Sequence, residues 1–148
     1  MQVQEIMTKD VLTVRPETTV REVAELLVSH KISGLPVVDA SGKLVGIISE
    51  GDLMSKEILP EPPAEFCILG AIIYYGDLKE YKKTFERMAA NTAEQLMTKK
   101  VVTVKAYDDV SDVARLMRDR HIKRVPVLDD EGHLIGIVSR QDIVKMLL

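Results

Sequence analysis

The chain has 148 residues, 46% of them apolar and 29% charged, with a net charge of −3. These values suit a globular protein of one unit or two very small ones, and they leave no basic stripe to drive general nucleic-acid binding. Aromatics make up 4% and Trp is absent, so the core must be aliphatic, while the single cysteine, Cys67, excludes an intrachain disulfide.

Residues Met1 to Glu5 have neither a basic nor an apolar signal character. The longest apolar run, Phe66 to Tyr75, is too short to span a bilayer. The expectation is a cytoplasmic protein with no membrane or nucleic-acid partner.

Residues 6–54 align without a gap on residues 96–144, and 20 of the 49 pairs are identical. The chain is therefore a tandem repeat with an insert. In the first copy, Val11 to Val14 is a short β-branched run with strand character, broken by Pro16. Thr19 and Glu22 fit a capping box, and Val20, Val23, Ala24 and Leu27 follow as one helical stripe. The second copy answers with Asp109 and Asp112 as cap and with Val110, Val113, Ala114 and Met117 as stripe.

A strand over Ile32 to Val38, a turn at Asp39 to Lys43 and a strand over Leu44 to Ile48 make a β-hairpin by pattern. The second copy repeats it from Val125 to Val138 around Asp130-Glu131-Gly132. Ser49 and Ser139 then open second helices. The unit is β-α-β-β-α, and the fold class is mixed α/β (α+β). One such unit is marginal alone, which predicts an intramolecular pseudo-two-fold pair.

The boundaries read as 1–58, an insert at 59–92, and 93–148. Pro60 to Pro63 should stop the helix before the insert. The apolar run from Phe66 to Tyr75 suits either a strand or a buried helix, and something must cover it. Lys79 to Ala90 reads as an amphipathic helix with Tyr81, Phe85 and Met88 or Ala89 on one face.

Each repeat carries a segment where a strand stops at a Ser and a helix begins: Gly46-Ile47-Ile48-Ser49-Glu50-Gly51-Asp52 and Gly136-Ile137-Val138-Ser139-Arg140-Gln141-Asp142. The Ser and Asp make a capping box, and they could equally hold a nucleotide. An Asp bent onto its own helix is less free for a ligand, so the two readings compete. Gly46 and Gly136 allow either close ligand approach or a strand irregularity.

These segments, with Ile32 to Asp39, Ile122 to Asp129 and the openings Met7-Thr8 and Met97-Thr98, resemble a tandem of cystathionine-β-synthase (CBS) domains, a Bateman module. The resemblance implies a regulatory module that binds adenine nucleotides (AMP, ADP or ATP) or an adenosyl compound such as S-adenosylmethionine. It implies two clefts, each combining the early strands of one repeat with the Ser-x-x-Asp segment of the other. The first would use Thr8, Leu12, Ile32, Ser33, Gly34 and Pro36 with Ser139 and Asp142. The second would use Thr98, Val102, Ile122, Lys123, Arg124 and Pro126 with Ser49 and Asp52. The Asp would hold the ribose hydroxyls, and the strand backbone would read the adenine edge.

Lys123-Arg124 stands where the first repeat has Ser33-Gly34. Two converging cations predict that the second cleft prefers phosphates. The first would suit a less charged adenosyl ligand or none, unless Arg140 offsets the difference. Lys123-Arg124 also fits a solvated strand edge. His30, His121 and His133 lack metal-ligand spacing, and no metal or cofactor is expected. No P-loop, nucleophile elbow or acid–base pair emerges, so no enzymatic activity is expected. The resemblance and the apolar faces imply a homodimer acting on a separate regulated protein. The alternative is an interaction scaffold with degenerate clefts, whose insert docks a partner or a second copy.

Overall fold

The structure is a computed structural model and describes residues 1–61 and 64–148. A single 3-10 turn, Val3–Glu5, precedes α1 (Val20–Ser29), β1 (Gly34–Val38), β2 (Leu44–Ser49) and α2 (Glu50–Met54). The insert supplies β3 (Ala64–Ile68), β4 (Ala71–Tyr75) and α3 (Leu78–Ala89). The second repeat follows as α4 (Ala93–Leu96), β5 (Val104–Lys105), α5 (Val110–Arg120), β6 (Arg124–Leu128), β7 (Leu134–Ser139) and α6 (Arg140–Lys145).

Both repeats build the same hairpin. Leu35 pairs with Ile48 and Val125 with Val138, and each hairpin has an irregularity at the same place, after Val37 and after Val127. The first strand of each unit is shorter than its β-branched run predicts. Val14 makes one parallel bridge to Val37, and β5 has two residues, parallel to β6. The cause is local. Thr18 Oγ1 takes the amide of Arg15 at 2.9 Å, and the Asp108 carboxylate takes that of Lys105 at 2.8 Å. Each turns the chain before another rung can form.

The helix starts follow the sequence with one change. Thr19 and Glu22 exchange both capping bonds, at 3.1 and 3.0 Å. In α5, Asp109 accepts from the Ser111 amide at 2.8 Å, but Asp112 pairs with Arg115 at 3.1 Å instead of returning to the cap. Pro62-Pro63 lies outside the described residues; α2 already ends at Met54, and a 3-10 turn, Ser55–Glu57, follows it.

Each repeat has its own aliphatic core, and each core contains a piece of chain from beside the other repeat. Ala90, Ala93 and Leu96 are buried with Val14, Val23, Leu27, Leu35, Val37 and Ile48. Val3 is buried with Val113, Met117, Val125, Val127 and Val138. The exchange continues along the backbone: Thr8 pairs with Ile137 of β7, and Thr98 pairs with Ile47 of β2. The two hairpin turns also meet, through Lys43 and His133.

This exchange explains Gly46 and Gly136. A methyl at Gly46 would lie 3.0 Å from the Thr98 carbonyl oxygen and 2.9 Å from Met97 Cγ, and one at Gly136 would lie 3.2 Å from the Thr8 carbonyl oxygen. Both glycines admit the crossing segment of the other repeat, not a ligand. Gly46→Ala is therefore expected to cost about 1–3 kcal/mol by overpacking, read as a lower denaturant midpoint.

The insert is a hairpin followed by a helix. Leu69 and Gly70, at φ 51° and 82°, form a two-residue turn of the kind that suits the strand twist. Ile68, Leu69, Ile72, Ile73, Tyr74 and Tyr75 are exposed within the single chain. On α3, Tyr81, Thr84, Arg87 and Met88 form the half-buried face, while Phe85 and Ala89 point outward. The inner face thus carries a cation where the apolar pattern placed Phe85. Among the described residues, no helix is long and apolar enough to cross a membrane.

Candidate functional site

The two Ser-x-x-Asp segments sit where β2 runs into α2 and β7 runs into α6. Each Asp caps with one oxygen. Asp52 Oδ2 accepts from the Ser49 amide at 2.9 Å and from Ser49 Oγ at 3.2 Å. Asp142 Oδ2 accepts from the Ser139 amide and from Ser139 Oγ, both at 2.8 Å. The cap leaves the second oxygen, Oδ1, for other work, so capping and ligand holding do not exclude each other. Among the described residues Asp142 Oδ1 has no hydrogen-bond partner, whereas Asp52 Oδ1 accepts from Arg87 Nη2 at 3.0 Å.

One cavity of about 910 Å³ opens between the repeats. Its size falls within the range of small-molecule sites. Thr8, Leu12, Ile32, Ser33, Gly34, Pro36, Ser139 and Asp142 all line it. These are the eight residues expected in the first cleft. The exchanged openings bring them together, because Thr8 is hydrogen-bonded to β7 three residues from the point where that strand enters its helix.

The structure moves the charge. Lys123 and Arg124, expected with Ser49 and Asp52, line this same cavity. The Arg124 guanidinium donates to Ser33 Oγ and lies over Gly34, where a side chain would collide with it. The reason is the two-fold arrangement: residues 33–34 and 123–124 begin equivalent strands and meet across the dyad. Burial lowers the Arg124 pKa from its ordinary value and the Glu50 carboxylate opposes that shift; the group remains a cation at neutral pH. Arg140 adds a further positive group and donates Nε to the Ile122 carbonyl at 3.0 Å.

The remaining residues of the second set do not line this cavity. Thr98 spends its backbone on Ile47, with bonds of 2.8 and 3.0 Å. Pro126 is buried inside β6, Val102 and Ile122 are half-buried, and Ser49 is engaged in the cap.

Several lining residues had no signal in the sequence. Val28, His30 and Lys31 arrive from the end of α1, and Glu50 from the start of α2. Asp10, Val11, Ile137 and Gln141 also line the wall; each neighbours an expected residue in the chain or across the strand pairing. Away from the cavity, Asp129, Glu131 and His133 bring potential ligand atoms within 4.8 Å of one another. Asp129 Oδ1 is already the acceptor of its own turn, from the amides of Glu131 at 3.0 Å and His133 at 2.8 Å.

Known proteins resemble this chain over nearly its full length. A family model described as CBS domain matches residues 3–58 and 93–148. Protein MJ1426 of Methanocaldococcus jannaschii is 35% identical over all of this chain and 92% of its own length. The chloroplastic CBS domain-containing protein CBSX1 of Arabidopsis thaliana is 31% identical, and the chain spans 64% of it. Among solved structures, CBSX2 in complex with AMP has TM-score 0.77 and 30% identity, covering 99% of this chain and 95% of that one. The CBS domain pair of protein MJ0100, in complex with 5′-methylthioadenosine and S-adenosylmethionine, has TM-score 0.75 and 28% identity, with full coverage of both chains.

Proposed function

Because the chain belongs to the CBS-domain family, we propose that it binds an adenosine ligand bearing phosphate, such as AMP, in the first cleft between its repeats. The observation that carries this reading is the convergence of Asp142, an apolar wall and four cations, Lys31, Lys123, Arg124 and Arg140, on one cavity. Asp142 Oδ1 accepts from the ribose hydroxyls. Leu12, Ile32 and Pro36 pack against the adenine. Lys123, Arg124 and Arg140 face the phosphate; with Lys31 they outnumber the carboxylates of Asp10, Glu50 and Asp142 in the cavity by one. CBSX2 with AMP and MJ0100 with its adenosyl ligands support the ligand class.

The role is regulatory. The cleft is assembled from both repeats, so a ligand in it favours whichever repeat packing it binds more tightly. Output then passes to a separate chain or to a second copy. The chemistry needed is binding alone.

Calorimetric titration with adenosine, AMP, ADP, ATP and S-adenosylmethionine tests the reading. Phosphorylated ligands should bind more tightly than adenosine. Arg124→Ala should weaken AMP binding by about tenfold or more, the scale of a lost charge-assisted bond, and leave adenosine binding nearly unchanged. Absence of binding by all five at millimolar concentration overturns the proposal.

A further inference from the structure

The two clefts differ in one contact that the repeat pattern does not contain. Helix α3 of the insert lies against the 3-10 turn Ser55–Glu57 that follows α2, and its Arg87 reaches back to Asp52. Arg87 donates Nη2 to Asp52 Oδ1 at 3.0 Å and Nε to Ser55 Oγ at 3.2 Å. Lys56 answers in the other direction, donating Nζ to the carbonyl of Met88 at 2.9 Å and to that of Ala90. These bonds join residues 32 to 35 positions apart, and all are partly buried. Asp52 thereby has both oxygens occupied, one by its cap and one by Arg87. Asp142, its equivalent, keeps one oxygen toward the open cavity.

We propose that α3 is a built-in latch on the second cleft. Arg87 takes the carboxylate oxygen that a ribose diol would use, so the protein carries one open nucleotide cleft and one held shut. A guanidinium bound to a carboxylate is charge-assisted on both sides, whereas a ribose hydroxyl is a neutral donor and competes poorly. The helix's outer face is exposed at Leu78 and Phe85, and Gly76, at φ 112°, sets the chain's entry into its first turn. Its far end is anchored by buried Ala90. The inference rests on the reading that Asp142 holds the ribose in the first cleft.

Stoichiometry of AMP binding to the full chain tests it. Wild type should bind one equivalent, and Arg87→Ala and Arg87→Gln should each bind two. Adding Asp142→Ala to Arg87→Ala should leave one. Two equivalents in wild type, or one in both Arg87 variants with unchanged circular dichroism, overturns the latch. So does loss of all binding in the Arg87→Ala/Asp142→Ala chain, because the released site would then not be the second cleft. If AMP binds none of the chains, the first-cleft reading fails and hydrogen exchange decides the latch separately. A tenfold rise in the exchange of α3 amides in Arg87→Ala, with α5 unchanged, upholds it, and unchanged α3 exchange overturns it.

Discussion

Leu96→Ala is expected to lower the stability of the protein by about 2–5 kcal/mol, the cost of a cavity at a fully buried leucine. The melting temperature should fall by roughly 4 to 20 °C for a chain of this size. The informative part is where the loss appears. Leu96 opens the second repeat in sequence, yet it is buried in the first core, against Val23, Leu27, Leu35 and Ile48. Amide exchange should therefore rise first in α1 and in the β1–β2 hairpin. Faster exchange confined to α5 and the β6–β7 hairpin would contradict the exchanged arrangement. Val3 offers the mirror case, a residue ahead of the first repeat that completes the second core.

Asp142→Ala is expected to weaken AMP binding by about 10- to 100-fold, since it removes an ionised acceptor from the ribose hydroxyls. The same substitution frees the Ser139 amide from its cap and should cost about 1 kcal/mol of stability. The two effects separate by comparison. Asp52→Ala disrupts the equivalent cap, because Asp52 binds the Ser49 amide just as Asp142 binds that of Ser139. Its melting temperature should fall by a similar or larger amount, since it also releases Arg87. Its AMP affinity at the first cleft should stay near that of wild type. Equal loss of affinity in both variants would mean that the carboxylates act through helix stability and not through the ligand.

Much of the fold was legible because it is local and occurs twice. The hairpins follow from β-branched runs on both sides of the turns at Asp39 to Lys43 and Asp129 to His133, and the pairing registers are the same in both. The α1 cap follows from a hydroxyl and a carboxylate three residues apart. The α3 face is less legible. Its apolar period points to Phe85, but the helix docks through Arg87, because the surface it meets presents the Asp52 carboxylate and Ser55. Periodicity records hydrophobicity and not the charge of the partner surface.

The candidate site shows the same division. The residues of the first cleft were assigned in sequence from the family resemblance, and all eight lie around one cavity. The position of the cations was not legible. Lys123 and Arg124 belong by position to the second repeat, and only the meeting of β1 and β6 across the dyad turns them into the wall of the first cleft.

The sequence by itself determined the repeat, the β-α-β-β-α unit and the two Ser-x-x-Asp segments, since each depends on side chains a few residues apart. The tertiary structure alone decided that the openings are exchanged between cores, that Arg124 bonds Ser33, and that Arg87 closes on Asp52. The Arg87–Asp52 and Arg124–Ser33 bonds join residues 35 and 91 positions apart, and the exchanged Thr8 meets Ile137, 129 positions away. No local spacing encodes them, because they depend on how two nearly identical units turn toward each other and where the insert between them comes to rest.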